Sequence, residues 1–70
     1  MERETQVMEE ARRIIKNGKR PSARLLAQEL EWSEADVHRC LNILEKRGEV
    51  ESYRKEVMKG EKMRMVGLNR

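Results

Sequence analysis

Phenylalanine is missing from this 70-residue chain, which has one tryptophan (Trp32), one tyrosine (Tyr53), one cysteine (Cys40) and one proline (Pro21). Without aromatic bulk the core must be aliphatic, drawn from Leu, Ile, Val, Ala and the five methionines. A lone cysteine excludes an intrachain disulfide and a thiolate zinc set. Cys40 sits within a helical apolar pattern and reads as a small buried hydrophobe in a reducing, intracellular setting. No apolar run approaches the ~18 residues of a membrane span, and no signal-peptide pattern opens the chain, so a soluble cytoplasmic protein is expected. A Ser/His/Asp set, a Gly-rich phosphate loop and a catalytic carboxylate pair are all lacking. His38, the single histidine, has no partner at ligand spacing. The expectation is therefore no enzyme activity, no metal, no cofactor and no small-molecule ligand.

What is abundant is charge, at 41% of residues, with a net charge of +3. Such a composition is a signature of disorder, but the apolar residues here are periodic, which argues for a single small folded domain with a thin stability margin. The charge is segregated. Residues 1–10 carry −3, residues 11–24 carry +6 with no acid, residues 29–36 carry −4 with no base, and residues 46–70 carry +4. Two basic segments flanking an acidic one can form a nucleic-acid footprint with an acidic rim.

Val7, Met8, Ala11, Ile14 and Ile15 recur at helical period and predict a first helix over residues 3–17, closed by Asn17-Gly18. Pro21 forces Arg20 out of helical geometry. Ser22 is then placed to cap a second helix over residues 23–30, with Leu25, Leu26 and Leu30 on its buried face and Ala27 small enough to let another helix approach. Glu31 and Trp32 form a turn. Ser33 opens a third helix over residues 34–47, with Asp36 completing a variant capping box. Its apolar stripe is Val37, Cys40, Leu41 and Leu44, and Gly48 ends it.

After Gly48 the period changes, and two strands joined at Lys59-Gly60 are predicted within residues 49–68. With that loop Tyr53 faces Val66, and both point with Leu68 toward the helices. Val50 then has the wrong parity, which calls for a bulge or a late strand start. The predicted class is α+β, mainly α. Trp32 is expected to plug the core, and Tyr53 to pack against Leu68 and Val66.

These residues resemble the winged helix-turn-helix domains of bacterial, archaeal and phage regulators, over nearly the whole chain. Leu26, Ala27, Leu30, Trp32, Val37 and Cys40 fall where that motif has apolar residues. The run LNILEKRGEVE over residues 41–51 is similar to the passage from recognition helix to wing. In two respects the chain departs from the pattern. Glu31 stands where the turn usually has Gly, and the third helix opens with the acidic Glu34 and Asp36.

The resemblance implies a winged helix-turn-helix fold, a small transcriptional regulator, and double-stranded DNA as partner. It places the base-reading positions at Ser33, Glu34, Ala35, His38, Arg39 and Asn42. Arg39 can fork onto guanine O6 and N7, Asn42 can pair with adenine N6 and N7, and Glu34 can accept from cytosine N4. His38 can donate to a base or a phosphate. The bland alternative is that these side chains form only the solvated face of an amphipathic helix. Backbone contacts are expected from the basic wing, Arg54, Lys55, Lys59, Lys62 and Arg64, and from Lys19, Arg20, Ser22 and Arg24 at the start of the second helix.

One domain of this kind contacts a short site, so affinity calls for a homodimer or a larger protein partner. Met1, Val7 and Met8, or the edge of the second strand, are the candidate dimer surfaces. A rival reading is a protein-docking winged helix that presents Glu29, Glu31, Glu34 and Asp36 to a basic partner. A third, left-handed nucleic-acid binding as in the Z-DNA-binding winged helices, ranks low: His38 and Asn42 stand where that family has Asn and Tyr, and its Pro-Pro-Trp wing is lacking.

Overall fold

The computed structural model describes residues 2–69. They form three helices, α1 (Arg3–Lys16), α2 (Ala23–Leu30) and α3 (Glu34–Lys46), followed by two strands, β1 (Val50–Met58) and β2 (Glu61–Leu68). The element order is as expected from the sequence, and the helix ends agree within a residue.

Five of the six helix boundaries have a local chemical cause; the start of α1, at Glu2, has no side-chain cap. The Ser22 hydroxyl accepts from the Leu25 amide at 3.0 Å, and the Ser33 hydroxyl accepts from the Asp36 amide at 3.2 Å. At the C-termini the same closing pattern recurs three times. The Lys19 amide donates to the Ile14 carbonyl at 3.1 Å, Trp32 to Ala27 at 3.0 Å and Glu49 to Leu44 at 3.0 Å. That pattern needs a left-handed residue at the turn. Gly18 and Gly48 supply it at two of the sites, whereas at the third it falls on Glu31, with φ 58°.

A side chain in that conformation costs stability that glycine does not. Glu31→Gly is therefore expected to stabilise the domain by about 1 kcal/mol, and to raise the thermal midpoint by about 4–8 °C. Thermal denaturation followed by circular dichroism measures this. An unchanged or lower midpoint would mean that Glu31 makes compensating contacts.

The core joins Val7, Met8, Ala11 and Ile14 of α1 to Ala23, Leu26 and Ala27 of α2, Val37, Cys40, Leu41 and Leu44 of α3, and Val50 and Val66 of the hairpin. Leu25, Leu30 and Trp32 are only partly buried against this cluster, so Trp32 lies at the core's rim, with the Arg3 guanidinium 5.2 Å from its ring centroid. Burial, and next the charge of nearby Glu4, pushes the Cys40 thiol up from its usual range. This is the inert thiol expected of an internal apolar position.

Three sequence expectations are corrected. Ile15 is 43% exposed, because it lies one residue round α1 from the buried Ile14 and beyond the edge of the stripe. Val7 and Met8 are buried within the chain itself, so they offer no dimer surface; Met1 lies outside the described residues. The outer edge of β2 is already engaged at Met65 and Val66. The Val66 amide donates to the Pro21 carbonyl at 3.0 Å, and Ser22 bridges to Met65. Covered on that edge as well as by β1, β2 buries both Met65 and Val66 although they are neighbours in sequence.

The hairpin pairs antiparallel, with Val50 opposite Leu68, Ser52 opposite Val66, Tyr53 opposite Met65 and Arg54 opposite Arg64. The register shifts between Glu56 and Met58, so that Val57 is an extra residue in β1. One extra residue exchanges the two faces of the strand. Val50 thereby enters the core, as a bulge was expected to allow, while Tyr53 turns outward and is 47% exposed. The predicted packing of Tyr53 on Val66 and Leu68 is thus overturned.

Candidate functional site

The bulge decides which side chains meet α3. By strand alternation, Val50, Ser52, Arg54, Glu56, Lys62, Arg64, Val66 and Leu68 share one face of the hairpin, with the apolar members at its base and the charged ones toward its tip. On α3, His38, Asn42 and Glu45 recur at i, i+4 and i+7 beside the buried stripe. The two sets come together. Arg64 Nη1 lies 3.0 Å from His38 Nδ1, and Arg64 Nη2 donates to Asn42 Oδ1 at 3.0 Å. The same Nη2 lies 3.3 Å from Glu45 Oε2. Glu45 Oε1 in turn accepts from the Ser52 amide at 3.2 Å and from the Ser52 hydroxyl. Arg64 is withdrawn from solvent, its side chain only 14% exposed.

An open cleft of about 410 Å³ lies over this network, lined by His38, Asn42, Ser52, Tyr53, Arg54 and Arg64. A smaller hollow continues it toward Arg24, Glu34 and Lys62. The site is therefore a groove between the exposed side of α3 and the basic face of the hairpin.

The Ser52 hydroxyl, and then the charge of Arg64, holds the Glu45 carboxyl below its ordinary value of about 4.5. A carboxyl lowered in the folded state contributes stability that is present above the ordinary value and is lost as pH falls through the lowered one. The stability difference between the natural chain and Glu45→Gln should accordingly be largest near neutrality and shrink on acidification below about pH 4.5. Urea titrations at a series of pH values check the sign. A difference that grows toward low pH would contradict it.

The other residues singled out in the sequence are dispersed. Ser33, Glu34 and Ala35 are exposed at the start of α3, and the Ser33 hydroxyl is used in capping. Arg39 lies about 100° round the helix from His38. Its side chain is 75% exposed and bound to Asp36 at 3.0 Å, outside the groove. Lys19, Arg20, Arg54 and Lys62 are exposed and have no acidic partner among the described residues. Lys59 is exposed at the hairpin tip, and Lys55 lies on the opposite face of β1 beside Val57, Met63 and Met65. Arg24 reaches across to Glu61 at 3.4 Å.

Two expected backbone contacts are corrected. Ser22 is only 3% exposed, with its hydroxyl committed to the helix cap, so it cannot reach a phosphate. Arg64 points inward onto α3 rather than outward from the hairpin. Two residues of the network were not singled out in the sequence. Glu45 was accessible from helical spacing, seven residues after His38 and three after Asn42. Ser52 depends on the bulge, and nothing local announces it.

The acidic region is partly neutralised from within. Glu29 pairs with Arg13 at 3.6 Å, and Asp36 with Arg3 at 3.6 Å as well as with Arg39. Glu31 and Glu34 have no basic partner among the described residues. No three His, Cys, Asp or Glu side chains are grouped among the described residues as they would be round a metal ion. No helix of the described residues is long and apolar enough to cross a membrane. Comparison with protein-family models, curated proteins and solved structures returned no match.

Proposed function

We propose that the chain is a winged helix-turn-helix domain that binds double-stranded DNA and acts as a small transcriptional regulator. In this reading α3 enters the major groove, and the hairpin is the wing that follows the phosphate backbone. The observation that carries it is the groove in which His38 and Asn42 of α3 stand beside the unpaired Arg54 and Lys62 of the hairpin. Base-reading and phosphate-binding chemistry thus border one surface. Lys19 and Arg20, also unpaired, extend the basic surface from the segment before α2. Since the outer edge of β2 is engaged at Met65 and Val66, β1 has the more open strand edge for pairing with a second copy or a partner.

The rival reading, docking of a basic protein through the acidic turn, is weakened because Glu29 and Asp36 already have basic partners within the chain. The two readings separate by titration. Adding a duplex at low salt is expected to shift the backbone amide NMR signals of residues 33–42 and of the hairpin. Glu31→Lys with Glu34→Lys is expected to strengthen nonspecific duplex binding. Amide signals unmoved by any duplex would sink the proposal.

A further inference from the structure

We infer that Arg64 is a positioning residue that turns His38 and Asn42 into a donor-only pair, and that this pair selects guanine in the base pair it faces. The inference rests on the duplex-binding reading above and adds a base preference to it.

The argument begins with donor count. A guanidinium has five N–H donors and no acceptor. The His38 nitrogen 3.0 Å from Arg64 is Nδ1, so Nδ1 accepts and the ring proton sits on Nε2. Asn42 likewise turns its carbonyl oxygen to Arg64, at 3.0 Å, which leaves both hydrogens of Nδ2 without a partner among the described residues. Arg64 cannot easily swing away. The Glu45 carboxylate holds its Nη2 from the far side, and Ser52 fixes that carboxylate. What the groove receives is one imidazole N–H and one amide NH₂, with no acceptor between them.

Base edges differ in how they meet such a pair. In the major groove guanine shows two acceptors, N7 and O6, whereas adenine sets a donor beside its N7 and cytosine shows a donor. A donor-only pair matches both acceptors of guanine, meets an opposing donor on adenine or cytosine, and finds only one acceptor, O4, beside the methyl of thymine. The adenine contact expected of Asn42 from the sequence requires the carbonyl oxygen and the amide to face the base together. Arg64 holds the oxygen away from that arrangement.

The test is selection of bound sequences from random duplexes, run on the natural chain and on Arg64→Met, which keeps the side chain's apolar stem and removes every donor. The natural chain should enrich guanine at one position of its site. Arg64→Met frees the Asn42 amide to turn and should shift that position from guanine toward adenine by about tenfold, while amide spectra show the fold retained. A change confined to overall affinity would be the signature of a merely structural role and would overturn the inference. So would an unchanged guanine preference, or no guanine excess for the natural chain; in both cases duplex binding itself stands. If Arg64→Met does not fold, Asn42→Ala takes its place and should reduce the guanine preference about tenfold; an unaltered preference overturns the inference. A second measurement needs no DNA. The ¹⁵N shifts of the His38 ring should report the proton on Nε2, and a proton on Nδ1 would overturn the clamp. Failure of the natural chain to enrich any duplex would remove the duplex-binding reading, and the inference with it.

Discussion

Replacing Arg54 and Lys62 together by alanine is expected, on the proposed reading, to weaken duplex binding about sixty-fold at about 0.1 M salt, and to flatten the plot of log affinity against log salt by about 1.8. The figures follow from counterion release, in which each phosphate neutralised on B-DNA contributes about 0.9 to the slope. The two residues are chosen on three grounds. Both are exposed, neither forms an ion pair among the described residues although Lys62 lies opposite Glu56, and both share the hairpin face that borders the α3 groove. The remaining bases near the groove serve as controls. Arg24 is already engaged by Glu61, and Lys55 lies on the opposite face of β1, so Lys55→Ala should change the slope by less than either groove substitution. Fluorescence anisotropy over a salt series makes the measurement. A double variant with the natural slope would place the hairpin away from the phosphates, whatever its affinity.

Leu41→Ala is expected to cost about 2–5 kcal/mol of folding stability. Leu41 is 0% exposed and belongs to the cluster where all three helices meet the base of the hairpin. Removing its branched end leaves a cavity that rigid neighbours close only in part. For a chain of 70 residues, typical folding stability is about 4–10 kcal/mol, so the loss is a large share of the total. The variant should unfold at markedly lower urea concentration, and in the weaker half of that range be substantially unfolded at 37 °C. Leu41→Met, which nearly conserves volume, should cost less than about 1.5 kcal/mol. Equal losses in the two variants would show that volume at this site is not what matters. The pair of measurements also guards the functional tests, because duplex binding lost by unfolding would be accompanied by loss of helical signal.

The two predictions draw on very different depths of information. Leu41 could be chosen from the chain alone, since the spacing of Val37, Cys40, Leu41 and Leu44 marks one face of a helix. Arg54 and Lys62 could be suspected from composition, but so could Lys55, Lys59 and Arg64. What sorted them was the extra residue at Val57. It exchanges the faces of β1, so that Arg54 joins Lys62 and Arg64 on the α3 side while Lys55 and Tyr53 turn away. A bulge of this kind follows from how the hairpin docks on the helices, and β-branched Val57 carries no local mark of it. Arg39 shows the complementary case. Its spacing on α3 is right for an exposed contacting residue, but Asp36, one turn earlier and also paired with Arg3 of α1, holds it in a separate ionic cluster.

By itself the sequence determined the elements and their limits: three helices bounded by Ser22, Ser33, Gly18, Gly48 and an unfavourably placed Glu31, then two strands about Lys59-Gly60. It also determined an aliphatic core with Cys40 inside it, because helical periodicity and capping act over four residues or fewer. Only the tertiary structure decided the hairpin register, the burial of Ser22 under β2, and the inward turn of Arg64 onto His38, Asn42 and Glu45. The burial of Ser22 and the turn of Arg64 arise between segments far apart in the chain, and the register, though set near the hairpin tip, by how the hairpin docks; parity, edge pairing and donor–acceptor matching are there settled by packing.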